Sequence, residues 1–175
     1  MLKSLFRPRA VRLSIEHLYA QAATQARAPA FYTTLGAPDR IDARFELYTL
    51  HVLLLVMRLR DEGPSGADAA QDLFDVYVSA LDHALRELGV GDLSIAKKMR
   101  KLGESLYGRM TAYEAPLRAG DTAGLGEAFA RNLFESDDAP GAPALAAYAV
   151  ASRARLAVQP IRDLQSGPDW ADITA

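Results

Sequence analysis

Apolar residues recur three and four positions apart along most of this chain, which is the spacing of an amphipathic α-helix. No stretch shows the sustained two-residue alternation of a strand, and no Asn-Gly or Asp-Gly turn is present to close a hairpin. We therefore predict a single all-α domain over residues 1–175. Glycine and proline breaks divide it into about six helices, at residues 9–27, 39–61, 66–88, 92–118, 121–134 and 143–159.

The second of these helices, at residues 39–61, differs from the others because apolar side chains surround it almost completely. A helix of this kind belongs at the centre of a helical domain, since no side of it favours water. His51 lies inside this helix. We expect it to be a core histidine with satisfied ring nitrogens rather than a metal ligand or a base.

Short polar residues and glycines mark the predicted helix ends. Asp39 is expected to cap the second helix, Asp92 or Ser94 the fourth, and Asp121 the fifth, since these residue types favour helix N-termini. Gly89 is placed to end the third helix, where a glycine accommodates left-handed backbone.

The fourth helix has two opposed faces. Its apolar stripe consists of Ile95, Met99, Leu102, Leu106, Met110, Tyr113 and Leu117. Basic residues lie opposite the stripe or at its flank, so we expect them to face solvent and the fold not to need them. They are Lys97, Lys98, Arg100, Lys101 and Arg109. The glycines Gly103 and Gly108 each cost roughly 0.5–1 kcal/mol in a helix, a cost that the close approach of a partner would explain. A lysine face that only solubilises the helix is the alternative, and the residues alone favour it.

Composition narrows the function classes. Half of the residues are hydrophobic and the net charge is −2, so the basic character is local and we expect no DNA partner. Absence of cysteine excludes disulfides, thiolate metal sites and a cysteine nucleophile. No segment reaches the roughly 18 apolar residues that suggest a membrane span.

The two ends of the chain differ in character from the helices. Residues 1–9 are predicted to form a basic arm, which can touch an anionic membrane surface and also resembles a short mitochondrial presequence. A frayed terminus is the alternative. Residues 160–175 are predicted to form an extended tail, which the lone Trp170 pins to the domain.

The candidate chemistry is sparse. The histidines show neither His-x-x-x-His nor Glu-x-x-His spacing, and no glycine-rich loop follows a strand to hold a phosphate. We therefore expect no catalytic residue, metal or cofactor. The alternative is a helical cofactor-binding enzyme whose site contains His51 and His83 with the neighbouring acids Asp82 and Glu87.

Several segments, in order along the chain, resemble motifs of a known family. They lie at residues 26–32 (ARAPAFY), 38–45 (PDRIDARF), 50–51 (LH), 85–92 (LRELGVGD), 97–101 (KKMRK) and 106–109 (LYGR), followed by Tyr113. On these segments the chain resembles the ubiquinol–cytochrome c chaperone family in its short alphaproteobacterial form. Ala43 stands where the family pattern has Gly, and Arg40 where it has Thr.

The resemblance implies a non-enzymatic, all-α chaperone that assembles the cytochrome bc1 complex and holds newly made cytochrome b. It also implies a location at the inner face of the cytoplasmic membrane, or on the matrix side in a mitochondrion. A membrane surface and the ribosome are further candidate partners, and a membrane-peripheral helical adaptor is the alternative function.

With the resemblance, the basic helix becomes a predicted contact surface. The predicted client- or membrane-binding residues lie on that helix and in the loop before the central helix. They are Lys97, Lys98, Arg100, Lys101, Tyr107 and Arg109 on the helix, with Phe31, Tyr32 and Arg44 before or at the start of the central helix.

Overall fold

The computed structural model describes residues 9–87 and 91–174, and every regular element in these ranges is helical. The helices are α1 (Arg9–Gln25), α2 (Ala30–Thr33), α3 (Ile41–Arg60), α4 (Pro64–Glu87), α5 (Asp92–Ala119), α6 (Thr122–Phe129), α7 (Gly141–Val158) and α8 (Ile161–Leu164). A π-helical turn, Ala130–Phe134, extends α6. The prediction of an all-α fold is confirmed.

Helix α3 lies at the centre of the fold. It packs against α1, α4, α5, α7 and the π-helical turn. Every side chain from His51 to Leu59 is buried. Burial on all sides follows from the sequence of this helix, because apolar residues surround it almost completely. The predicted central position is confirmed.

Two of the predicted N-caps are wrong. Arg40 occupies the cap position of α3 without a side-chain cap bond, and the Asp39 carboxylate instead accepts a bond from Arg44 Nε at 2.7 Å. Gly91 occupies the cap position of α5, so neither Asp92 nor Ser94 caps it. The N-cap position of α3 lies one residue after Asp39, and that of α5 lies one residue before Asp92.

Other helix ends agree with the sequence. Asp121 caps α6, because its carboxylate accepts the Gly124 N–H at 2.9 Å. Gly120 ends α5 with a φ of 67°, a left-handed conformation that glycine adopts without a steric penalty. Gly89 lies outside the described residues, as do residues 1–8 of the predicted basic arm.

The predicted extended tail is partly helical and is held down along its length. It contains α8, and the Trp170 ring meets the buried His51 ring edge-on at 5.1 Å between centroids. Ser152 Oγ accepts the Ala171 N–H at 3.1 Å, and Arg155 donates to the Trp170 carbonyl at 2.8 Å. A single helical turn therefore interrupts the predicted extended tail, and Trp170 packs against the core.

The N-terminus of α7 sets the position of the segment between α1 and α3. A Cβ at Gly141 would lie 1.8 Å from the Leu35 carbonyl oxygen, so only glycine allows the two backbones to come this close. The short helix α2 lies in this segment and carries Tyr32 at the surface. One of the predicted contact regions is therefore positioned by backbone packing against α7.

Candidate functional site

The N-terminal half of α5 presents an exposed basic face. The side chains of Lys97, Lys98, Arg100 and Lys101 are all exposed, and none forms an ion pair with a described residue. The prediction that these four face solvent is confirmed. Their role as a contact surface stays a prediction. We call these four residues the α5 basic face.

The surface beside the α5 basic face is open. Tyr107 is 77% exposed, which is unusual for an aromatic side chain of its size. A Cβ added at Gly103 or Gly108 would have no atom within 4 Å, so the fold itself does not require glycine at either position. Nothing in the described part of the chain prevents a partner from approaching this side of the helix closely.

The apolar stripe of α5 is buried more deeply towards its C-terminal end. Leu106, Tyr113 and Leu117 are buried in the main core, whereas Ile95 is buried outside that core and Met99, Leu102 and Met110 are half-buried. The first turns of α5 therefore have less apolar packing than its later turns. The basic face lies on the end of the helix that contributes fewer residues to the main core.

Arg109 was predicted to face solvent, and this prediction is wrong. Its guanidinium forms an ion pair with Glu46 on α3, whose side chain is fully buried, and it lies over the Phe45 ring at 5.5 Å. The second carboxylate oxygen of Glu46 accepts the Tyr113 hydroxyl at 2.7 Å. A carboxylate buried this deeply requires a counter-charge and hydrogen-bond donors, and Arg109 and Tyr113 supply them.

The signal for this ion pair was present in the sequence but incomplete. Glu46 is an acid on a helix predicted to be buried, so a partner was to be expected. Periodicity alone does not say which of the basic residues on the other helices would supply it. Burial raises the pKa of the neighbouring Tyr113 to about 12, so its hydroxyl remains a donor.

Phe31 was predicted to be a surface contact, and its side chain is instead part of the core. It is fully buried, and its ring meets those of His51 and Tyr148 edge-on at centroid distances of 5.4 and 5.1 Å. Its predicted neighbours Tyr32 and Arg44 do reach the surface, half-buried and exposed respectively. The helical turn of α2 points successive aromatic side chains in different directions, so only one of the two faces inward.

Tyr32 and Arg44 belong to a larger surface cluster that the sequence pattern does not reveal. The Arg27 guanidinium lies over the Tyr48 ring at 5.2 Å. Burial raises the pKa of Tyr19, Tyr32 and Tyr48, and the positive charge of nearby Arg27 opposes this rise in all three. We call the five residues Tyr19, Arg27, Tyr32, Arg44 and Tyr48 the Tyr–Arg patch. Tyr48 lies four residues after Arg44 on α3, a spacing that places the two on one helix face.

His51 is a satisfied core histidine, as predicted. Its Nδ1 donates to the Leu47 carbonyl at 2.7 Å, and its Nε2 accepts the Tyr148 hydroxyl at 2.8 Å, since a carbonyl oxygen can only accept. Burial lowers the pKa of His51 to about 4, and the bond to Leu47 opposes this shift only in part. The histidine is therefore neutral near pH 7.

The structure does not bring His51 and His83 together into a site. His83 is exposed on α4, whereas His51 is buried at the centre of the fold. Within the described ranges, no group of histidine and acidic side chains is arranged to hold a metal ion. Among the same residues, no helix combines the length and hydrophobicity that crossing a bilayer requires.

Comparison with known proteins decides the family. The family model described as ubiquinol–cytochrome C chaperone matches residues 33–170. The chain belongs to the ubiquinol–cytochrome c chaperone family. The matched range includes the α5 basic face, Glu46 and Arg109, and it begins immediately after Tyr32.

A solved relative supports the family assignment over almost the whole chain. The crystal structure of the Cbp3 homolog from Brucella abortus is similar to this fold, with a TM-score of 0.84 and 33% sequence identity. The similarity covers 99% of this chain and 98% of that one. No curated protein sequence matches the chain. The resemblance predicted from the motifs is confirmed.

Proposed function

We propose that this protein is a non-enzymatic assembly chaperone of the cytochrome bc1 complex, and that it binds newly made cytochrome b. The observation that carries the proposal is the family match over residues 33–170, supported by the similarity to a solved Cbp3 homolog along nearly both full chains. We also propose that the protein acts at the inner face of the cytoplasmic membrane, or at the matrix side in a mitochondrion, where cytochrome b is inserted.

The α5 basic face is the part of the molecule best suited to meet the client, the membrane surface or the ribosome. Its four cations are exposed and are not used in ion pairs to described residues, so their charge is available to a partner. Exposed Tyr107 adds an aromatic side chain of a type enriched at protein interfaces. Anionic lipid headgroups and ribosomal RNA would each be attracted to such a face.

An affinity purification tests the proposed function. The full-length protein, tagged at its C-terminus, is expressed in a strain that lacks the native gene, crosslinked, and purified from solubilised membranes for mass spectrometry. We expect cytochrome b to dominate the captured proteins, and the deletion strain to contain less assembled bc1 complex. Wild-type amounts of assembled bc1 complex in the deletion strain would contradict the proposal.

The exposure of the α5 basic face also favours a second candidate function, that of a membrane-peripheral adaptor without a dedicated client. Cations without intramolecular partners bind anionic lipid by themselves, at about 1 kcal/mol for each Lys or Arg near the surface. Sedimentation of the purified protein with anionic vesicles, in the absence of cytochrome b, separates the two functions. Vesicle binding together with normal bc1 assembly in the deletion strain would establish the adaptor.

A further inference from the structure

The Tyr–Arg patch lies where α1, α2 and α3 meet at the surface, and its polar groups are mainly hydrogen-bond donors. Arg27 and Arg44 are exposed, and guanidinium groups donate hydrogen bonds but do not accept them. Tyr19, Tyr32 and Tyr48 are half-buried, and no described residue hydrogen-bonds to their hydroxyl groups. A half-buried tyrosine hydroxyl usually finds a hydrogen-bond partner. The patch therefore offers two cations and three hydroxyl groups to an acceptor outside the described chain.

One acid lies at the edge of the patch, and its contact with Arg44 can be replaced. The Asp39 Oδ1 accepts from Arg44 Nε at 2.7 Å and from its terminal nitrogen at 2.6 Å, so both bonds go to a single carboxylate oxygen. The side chains of Arg44 and Asp39 are 53% and 64% exposed, and exposed ion pairs contribute little to stability. A carboxylate from another molecule can therefore take the place of Asp39 at low cost. Arg27 forms no ion pair with a described residue.

The aromatic rings give the patch a second kind of contact. The guanidinium of Arg27 holds the Tyr48 ring from one side at 5.2 Å, which orients both groups before any partner arrives. Tyr32 lies beside them on α2, whose position is set by the packing of α7 against Leu35. Preformed arrangements of tyrosine and arginine are typical of residues that dominate binding energy at protein interfaces, because they lose little conformational freedom on binding.

We propose that the Tyr–Arg patch docks an acidic segment of a partner protein, in which carboxylates meet Arg27 and Arg44 and apolar side chains lie against Tyr32 and Tyr48. This docking site is separate from the α5 basic face. It extends the proposed function, and the identification of the partner as the client rests on that function. Lipid and RNA are poorer matches, since the patch mixes two cations with three aromatic side chains and an acid. Polyanions of this kind suit the four clustered cations of α5 better.

Fluorescence anisotropy with the purified full-length protein tests this docking site. The probe is a labelled synthetic peptide that alternates Glu with Leu and Phe, and its control has Lys in place of Glu. We expect the acidic peptide to bind and the basic one not to bind. The double substitution Arg27→Glu and Arg44→Glu should weaken binding by about tenfold or more, because both contacts become repulsive. Lys97→Glu with Lys101→Glu is the matched control and should change the affinity by less than about twofold.

Two further substitutions separate binding from folding. Asp39→Asn removes the acid that competes for Arg44, so it should raise the affinity for the acidic peptide by about threefold, an effect that no loss of folding can produce. Tyr48→Phe keeps the ring under Arg27 but removes the hydroxyl, so it should weaken binding without changing the thermal midpoint.

The outcomes distinguish this inference from the proposed function. Absence of binding to the acidic peptide, or equal binding by the Arg27/Arg44 double variant, would overturn the docking site even if the protein supports bc1 assembly. Binding to phosphatidylglycerol vesicles or to an RNA oligonucleotide that depends on Arg27 and Arg44 would also overturn it. Peptide binding in a protein whose deletion leaves bc1 assembly intact would preserve the docking site and contradict the proposed function.

Discussion

The N-terminal half of α5, residues 92–105, and its C-terminal half, residues 106–119, both carry basic side chains, but these side chains meet different surroundings. In the first half, Lys97 and Lys101 are exposed and are not paired with described residues. In the second half, Arg109 neutralises the buried Glu46, and Arg118 bonds to Glu114 at 2.8 Å and to Asp61 at 3.4 Å. One half of the helix leaves its charge exposed to solvent, and the other half uses its charge to hold α5 against α3.

The difference shows that the role of a cation on an amphipathic helix depends on the group that faces it. A guanidinium that meets only water contributes to solubility or binding, and its removal costs little. The same guanidinium opposite a buried carboxylate becomes necessary for folding, because the unpaired acid would carry the full cost of its desolvation. The halves of α5 are therefore expected to respond very differently to matched substitutions. The buried His51 of α3 adds a third case.

The largest contrast is expected between Arg109→Ala and Arg100→Ala. Loss of Arg109 leaves Glu46 buried without a counter-charge, so unfolding free energy should fall by about 3–5 kcal/mol. Loss of exposed Arg100 should change it by less than about 0.5 kcal/mol. Urea denaturation followed by circular dichroism measures both. The pair Glu46→Leu with Arg109→Leu should recover most of the stability, and similar losses in the two alanine variants would remove the distinction between the halves.

The core around α3 should respond to pH through His51. Its pKa is about 4 in the folded protein and near 6.5 when unfolded. Above about pH 6.5 the histidine is neutral in both states, so its contribution to the unfolding free energy is at its maximum there. As the pH falls from 6.5 towards 4, the unfolded state takes up the proton first, and stability falls by on the order of 3 kcal/mol. Unfolding free energy is measured against pH. The part of its fall between pH 6.5 and 4 that comes from His51 should be absent from the His51→Gln variant and present in the variant of the exposed histidine, His83→Gln. A pH profile unchanged by His51→Gln would contradict the assignment.

A smaller contrast is expected between two tyrosines of α5. Tyr113→Phe removes a hydroxyl that donates to Glu46 at 2.7 Å, so it should cost about 1–3 kcal/mol. Tyr107→Phe removes a hydroxyl from an exposed side chain and should stay within about 0.5 kcal/mol. Thermal and urea unfolding compare the two variants under the same conditions. Equal effects would mean that Glu46 is satisfied without Tyr113.

Replacing glycine on the open side of α5 should stabilise the protein. Gly108→Ala meets no atom within 4 Å, and alanine is favoured over glycine in a helix by roughly 0.5–1 kcal/mol. Gly141→Ala is the opposite case, because its Cβ would overlap the Leu35 carbonyl oxygen and must destabilise the fold. If Gly108→Ala raises the thermal midpoint but lowers bc1 assembly, a partner's backbone approaches the helix at this point. Destabilisation by Gly108→Ala would show that this side of α5 is covered.

The smallest effect on stability is expected from Lys97→Glu with Lys101→Glu. The thermal midpoint should remain nearly unchanged, because surface substitutions usually stay within about 0.5 kcal/mol. Assembled bc1 complex, measured by native gel and haem absorbance, should nevertheless decrease, and client binding should weaken with salt as screening acts within roughly 10 Å at 0.1 M. Normal assembly at wild-type protein levels would mean that the α5 basic face only solubilises the helix.

Much of the fold follows from periodicity. The all-α class, the central position of α3 and the bounds of the longer helices are local properties, since apolar spacing determines which side of each helix avoids water. The exposure of Lys97, Lys98, Arg100 and Lys101 follows from the same pattern, because they lie opposite the apolar stripe of α5. The family could also be identified from the sequence, because its motifs are short local patterns that occur in a fixed order along the chain.

The details of the candidate sites depended on contacts between residues far apart in the chain. Arg109 and Glu46 are 63 residues apart, and His51 and Tyr148 are 97 apart, so no local pattern predicts that they meet. Phe31 and Tyr32 are adjacent in sequence, yet only the packing of α2 against His51 and Tyr148 decided that Phe31 is core and Tyr32 is surface.

The sequence by itself thus determined which faces of the helices are apolar, and from them the helical class and the central helix. Only the tertiary structure decided which cations form ion pairs with other described residues, and that Arg27 and Tyr48 meet on the surface. The physical reason is that burial depends on the periodicity of one helix, whereas pairing depends on the relative positions of two.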